Sequence, residues 1–194
     1  LGVTSTQHLE QRADATYARG NWNFQARVQS YQTIDSAVAA TSRPYKRLPQ
    51  LLLSYATPER NHEFQYGVRS EAVFFDRRQS VDGLRFDVAP SISYPMRTAG
   101  TFLIPRAKAH LTHYSLGNTA AGQSDSQTRF VPSFSLDGGL FMERDFSFLG
   151  SQYIQTLEPR AYYLYQAFDD QRNIPVFDAG KYTFNFSQLF REIG

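Results

Sequence analysis

Polar and apolar side chains alternate one by one along this chain, and the alternation outlasts an ordinary strand. From Trp22 the even positions read Trp22, Phe24, Ala26 and Val28, with Asn23, Gln25, Arg27 and Gln29 between them. From Leu84 they read Leu84, Phe86, Val88, Pro90, Ile92, Tyr94 and Met96, with Arg85, Asp87, Ala89, Ser91 and Ser93 between. A period of two places successive side chains on opposite faces of an extended backbone. Each such segment therefore reads as a strand with one apolar and one polar face. The same pattern starts at Phe64, follows Leu103, runs from Phe130 to Glu143, and spans Tyr153 to Tyr165. Segments 8–18 and 48–56 fit it more loosely. About eight strands result, and no stretch shows a helical period.

Strand length narrows the choice of fold. Several segments hold the pattern for about 12–16 residues, whereas strands of soluble domains run about 5–6. Strands of a membrane barrel need about 9–11 residues inside the lipid and can project beyond it. Mean hydropathy is −0.46. The longest apolar run, Leu51-Leu52-Leu53, stops at Ser54, far short of the roughly 18–20 residues of a membrane helix. A helical membrane protein is excluded; a β-barrel, whose apolar residues are diluted by alternation, is not.

The connections carry a second signal. Short links at 18–21, 57–61, 97–100 and 145–150 alternate with longer ones at 35–47, 77–83, 117–129 and beyond Asp169. An up-and-down membrane barrel is expected to do this, with short turns on one side and long loops on the other. Aromatics gather near strand ends, at Trp22, Phe24, Tyr55, Phe74, Phe75, Tyr94, Phe146, Phe148, Tyr163 and Tyr165, as interfacial girdles would. Pro49, Pro90, Pro95, Pro105, Pro132 and Pro159 fall within apparent strands. Each lacks a ladder donor, so bulges or strand ends are expected there.

Chemistry is sparse. Cys is 0, which removes disulfides, zinc–thiolate sites and a cysteine nucleophile from this chain. Net charge is +2, from 20 Lys and Arg against 18 Asp and Glu, which gives no broad basic field for nucleic acid. His110 and His113 stand on opposite faces of one strand, so a shared metal is disfavoured and they read as solvated or girdle histidines. No nucleophile elbow, phosphate loop or zinc-protease motif occurs. The expectation is a protein that is not an enzyme and needs no cofactor or metal. The polar faces carry Arg27, Arg69, Glu71, Arg85, Asp87, Arg106, Lys108, Glu158 and Arg160. In a barrel these face the lumen, as a mesh of cross-strand ion pairs, a polar path, or both.

The last third adds motifs. Residues 157–165 read Leu-Glu-Pro-Arg-Ala-Tyr-Tyr-Leu-Tyr, residues 173–178 Asn-Ile-Pro-Val-Phe-Asp, and residues 184–192 Phe-Asn-Phe-Ser-Gln-Leu-Phe-Arg-Glu. With Arg47-Leu48-Pro49-Gln50-Leu51, Asn21–Phe24 and Tyr31–Thr33, they resemble the LptD family of lipopolysaccharide-assembly outer-membrane proteins. The resemblance implies an all-β, antiparallel up-and-down barrel of about 26 strands, of which this chain is a middle segment. It implies localisation in the outer membrane of a Gram-negative bacterium and insertion of lipopolysaccharide into the outer leaflet. Its partners would be an LptE-like plug lipoprotein, an LptA-like periplasmic bridge reached through other parts of the protein, and outer-membrane lipids. Residues 1–168 are expected to be barrel strands and 169–194 a long extracellular loop. Ile174, Phe177, Phe186, Leu189 and Phe190 would pack that loop over the lumen or against the plug. The chain departs from the family after Arg191-Glu192 and lacks a terminal aromatic strand. The competing reading is a self-contained small outer-membrane barrel serving as an anchor or adhesin.

Overall fold

The computed structural model describes residues 7–169 and Phe177. Among these the chain is antiparallel sheet, with one short 3-10 turn at Ala40–Ser42. The strands are β1 (His8–Arg19), β2 (Trp22–Thr33), β3 (Lys46–Ala56), β4 (Gln65–Asp76), β5 (Asp82–Ser93), β6 (Met96–Arg97), β7 (Thr101–Gly117), β8 (Ser126–Leu140), β9 (Met142–Phe148), β10 (Ser151–Leu157) and β11 (Arg160–Gln166). Their sheet order is β1-β2-β3-β4-β5-β7-β8-β11, with β6 folded onto β7 and β9–β10 forming a two-stranded hairpin. Strands adjacent in this order follow one another along the chain, directly or across the short β6 and the β9–β10 hairpin, as in a meander. β7 has 17 residues and β8 has 15, and the other long strands have 11 or 12. These lengths exceed what a soluble sheet ordinarily uses.

Burial is inverted relative to a water-soluble protein. One face exposes Phe24, Leu51, Leu53, Phe74, Leu84, Phe86, Leu111, Phe130 and Phe134. The opposite face buries Gln29, Gln50, Ser93, Thr112 and Ser135. A chain folding in water gains stability by hiding the first set. A chain folding into hydrocarbon leaves that set outside and must satisfy every backbone group within the sheet. The ladders do this: β4 pairs β5 from Gln65↔Ser93 to Phe75↔Gly83, and β7 pairs β8 from Thr101↔Leu140 to Ser115↔Ser126.

Three expectations need revision. The segment from Tyr153 to Tyr165 is two strands, not one, because Glu158 and Pro159 interrupt it. The register runs through the break unchanged, with Leu157↔Met142 before it and Arg160↔Gly139 after it. Pro159 has no N–H to donate, though its carbonyl still accepts from Leu140 N at 3.0 Å. Phe75 is no girdle residue; it is fully buried on the otherwise polar face, beside Val73. The alternation of loop lengths is also imperfect, since the link 57–64 is longer than the link 77–81. The prolines behave unevenly. At Pro49 the β3 register shifts between Arg47 and Gln50, whereas Pro105 and Pro132 sit in unbroken register opposite Leu136 and Ala109.

At the turn end of the apolar face, aromatic rings pair as expected for a girdle. Trp22 and Tyr55 lie 4.7 Å apart, and Phe64 and Tyr94 lie 4.9 Å apart. Trp22, Phe64 and Tyr66 are exposed.

Candidate functional site

The polar face carries the functional groups, and strand register decides which of them meet. Asp14 on β1 stands opposite Arg27 on β2, and their side chains pair at 2.5 Å. Arg12 reaches the other Asp14 oxygen at 2.7 Å, and Gln25 donates to Asp14 at 3.2 Å. Further along, Glu71 on β4 lies opposite Asp87 on β5. Two facing carboxylates would repel each other. Each is instead engaged elsewhere: Arg85 Nη2 lies 2.8 Å from Glu71 Oε2, and Gln50 donates to the other Glu71 oxygen. Asp87 Oδ2 lies 2.6 Å from His110 Nε2 and accepts from the Thr112 hydroxyl at 2.7 Å. On β11, Arg160 grips Asp137 of β8 with two bonds of 2.8 and 2.6 Å. Such forked pairs fix orientation as well as charge.

Arg69 and Arg106 occupy the same face but differ from these groups. Both are exposed, and among the described residues neither has a carboxylate at ion-pair distance. Lys108 stands two residues from Arg106, opposite Ser91 and Ser133. A recess of about 510 Å³ opens on this face, lined by Asn23 and Gln25 of β2, Leu52 and Ser54 of β3, Arg69 and Glu71 of β4, Asp87 of β5, and Lys108 and His110 of β7.

Eight of the nine residues expected on the polar face therefore share it: Arg27, Arg69, Glu71, Arg85, Asp87, Arg106, Lys108 and Arg160. Glu158 lies exposed in the link between β10 and β11, outside the paired ladder. His110 and His113 do point to opposite sides, and His113 Nδ1 meets the Thr128 hydroxyl at 2.9 Å. His110 is not merely solvated, since it is the partner of Asp87. Among the described residues no cluster of ligating side chains fits a metal ion.

Near the loop end the same face turns apolar. Tyr45, Val73 and Phe75 form a buried cluster, and Phe177 packs against it. The Phe177 ring stacks on Phe75 with centroids 4.6 Å apart and planes 2° from parallel, and meets Tyr45 edge-on at 5.0 Å. Arg77 lies over the other ring of this cluster, 4.0 Å from the Tyr45 centroid, and its Nη2 donates to the Tyr45 hydroxyl at 3.1 Å. Tyr45 in turn donates to Val81 O at 2.9 Å. Burial pushes the Tyr45 phenol above its ordinary pKa, against the opposing pull of the Arg77 guanidinium. Of the loop residues expected to pack, Phe177 is the one within the described residues. Ile174, Phe186, Leu189 and Phe190 lie outside them.

A meandering sheet that turns apolar side chains outward and ion pairs inward is built as the wall of a membrane β-barrel. Comparison with known proteins agrees and is more specific. The family model for LPS transport system D, LptD, matches residues 1–193. The LPS-assembly protein LptD of Nitrosococcus oceani is 40% identical over 193 residues, covering 98% of this chain and 26% of the relative. Those of Aromatoleum aromaticum and Hahella chejuensis are 38% and 35% identical, each covering 99% of this chain. The chain belongs to the LptD family, and it spans about a quarter of the length of these curated relatives.

Proposed function

We propose that this segment is part of the wall of an outer-membrane translocon that inserts lipopolysaccharide into the outer leaflet of a Gram-negative envelope. The observation that carries the reading is the inverted sheet. Its apolar face suits lipid, and its polar face suits a water-filled lumen. The role is transport and assembly, with no covalent step. Residues 1–168 supply wall strands. β1 and β11, the two ends of the sheet order, continue into neighbouring strands of a larger barrel. The relatives, four times longer than this chain, favour that arrangement over a self-contained small barrel.

Segment 169–194 serves as an extracellular loop that closes over the lumen's outer end. Phe177 supports this, because it reaches from beyond β11 to a cluster on β4. A plug lipoprotein of the LptE kind would occupy the remaining lumen, and an LptA-like bridge would deliver lipid through parts of the protein outside this chain. In cells depleted of the intact parent protein, newly made lipopolysaccharide should no longer reach an enzyme that modifies the outer leaflet. Restoring the parent gene should restore delivery, and a copy with this segment replaced by an unrelated barrel hairpin series should not. Delivery that continues through depletion would contradict the reading.

A further inference from the structure

The β9–β10 hairpin is longer than a wall needs. β8 alone has 15 residues; at about 3.4 Å per residue and a tilt of about 40° it spans about 39 Å, more than the hydrocarbon core. Beyond Leu140 each arm of the hairpin adds 7 strand residues, about 24 Å of further length. The hairpin leaves the sheet at the end where the short link 97–100 turns back, since Thr101 pairs with Leu140. Among the described residues β9 and β10 pair only with each other. The outer edge of β9 therefore carries unpaired backbone groups, which hydrocarbon does not tolerate and a wet headgroup region does.

Its two faces differ. On the apolar face of the wall Phe134 pairs with Tyr165 and Leu136 with Tyr163. The same phase continues past the break, where Met142 pairs with Leu157, Arg144 with Gln155 and Phe146 with Tyr153. All six are exposed, and the Phe146 and Tyr153 rings lie 6.3 Å apart. Arg144 donates its Nε–H to Gln155 at 2.7 Å and has no carboxylate at ion-pair distance among the described residues. The opposite face carries Glu143 and Asp145, with Ile154 as its apolar exception. The tip is anomalous for a turn in water. Leu149 and Gly150 have φ of 50° and 81°, as in the two-residue hairpin turn that favours Asn-Gly. Leu149 is 89% exposed. A branched apolar side chain held in the left-handed region and in water is unfavourable on both counts, and so exposed a side chain finds nothing within the hairpin to offset it.

We propose that the β9–β10 hairpin is an interfacial foot, docked on the phospholipid headgroups of the leaflet at this end of the wall. Met142, Phe146, Tyr153, Leu157 and the tip residue Leu149 enter the boundary between headgroups and acyl chains, Arg144 takes a lipid phosphate, and Glu143 and Asp145 face water. The break at Glu158–Pro159 lets the hairpin leave the plane of the wall without losing phase. An amphipathic surface of this kind seats about 5–10 Å deep. Aromatic rings favour that level, and guanidinium groups match phosphate oxygens. A protein partner covering the same face would have to stand in line with the lipid-facing surface, where the bilayer already is. The proposal rests on the reading of that surface as lipid-facing.

The test uses the intact parent protein with its bound partner in phospholipid nanodiscs, with a genetically encoded fluorescent amino acid in place of Phe146, Asp145 or Leu111, one at a time. The nanodisc lipids carry a nitroxide on the headgroup, high on the acyl chain or near its end. The label replacing Phe146 should be quenched most by the first two, at a depth of about 5–10 Å. The label replacing Asp145 should escape quenching, and the label replacing Leu111 should be quenched most by the chain-end nitroxide. Met142→Glu with Leu157→Glu should abolish quenching at position 146, and Ile154→Glu, on the water face, should leave it unchanged. Leu149→Asn suits the turn better yet should weaken quenching at position 146; a hairpin with a purely structural role would lose nothing. None of these changes should alter quenching at position 111. No quenching at position 146, equal quenching at 145 and 146, or indifference to the double variant and to Leu149→Asn would overturn the foot while leaving the wall intact. A photo-cross-linking amino acid in place of Tyr153 that captures protein rather than lipid would also overturn it. Absence of deep quenching at position 111 would overturn the wall reading itself.

Discussion

Leu111 and His110 are adjacent on β7 and face opposite ways, so an arginine at each position separates the two faces. Leu111 is 42% exposed and lies between Val88 and Phe130 on the apolar face. If that face meets hydrocarbon, Leu111→Arg places a charge near the middle of the bilayer at a cost of about 2–4 kcal/mol. His110→Arg places a cation beside Asp87 and should cost less than about 1 kcal/mol, the usual range for a substitution away from core features. The difference, about 1–4 kcal/mol, corresponds to about a 5- to 700-fold change in the folding equilibrium. Near the girdle the penalty fades, so Tyr66→Arg should cost about 0–1 kcal/mol. The assay is urea unfolding of the intact parent protein in phospholipid vesicles, read by loss of heat-modifiable mobility on gels. Equal destabilisation by Leu111→Arg and His110→Arg, or a greater cost at His110, would refute the assignment of faces.

Four further outcomes follow from the geometry. With 4-fluorophenylalanine at position 75, Phe177→Ala should move the fluorine resonance, because a ring stacked at 4.6 Å is removed; an unmoved resonance would deny the stacking. Arg85→Met should destabilise by about 1–3 kcal/mol by leaving Glu71 short of its cation, and Arg85→Met with Glu71→Gln should cost less than the sum of the two single changes in a double-mutant cycle. Gly83→Ala should destabilise by about 1–3 kcal/mol, since its Cβ would meet Ser115 O and the backbone sits at φ 154°. Tyr45 has its phenol pKa raised by burial, so its support of the Phe177 seat should be fully present below about pH 10 and be lost as pH rises through the raised folded value; ultraviolet titration against Tyr45→Phe measures this.

What could be read in advance follows from the period of two. Alternation is a local property, so Trp22–Val28 and Leu84–Met96 showed their faces without any knowledge of partners. Pairing is not local. That Asp87 would meet His110 and Thr112, and Glu71 would meet Arg85 and Gln50, depends on the registers of β5 against β7, β4 against β5 and β3 against β4. Nothing in the order of residues announced it. The break at Glu158–Pro159 was hidden because both sides remain in phase, although a proline without a ladder donor was its visible trace. Val73 and Phe75 were harder still. Apolar residues at polar positions look like lapses in a pattern, and only the approach of Phe177 from beyond β11 shows that they form a seat.

The central claim is that one face of this sheet meets lipid and the other meets water. A nitroxide scan along β7, from Leu103 to Thr112, in the intact parent protein in nanodiscs measures it directly. Accessibility to oxygen should peak at Leu103, Ala107, Ala109 and Leu111, and accessibility to a polar nickel chelate should peak at Ile104, Arg106, Lys108 and His110. Alternation of opposite phase, or none, would contradict the account.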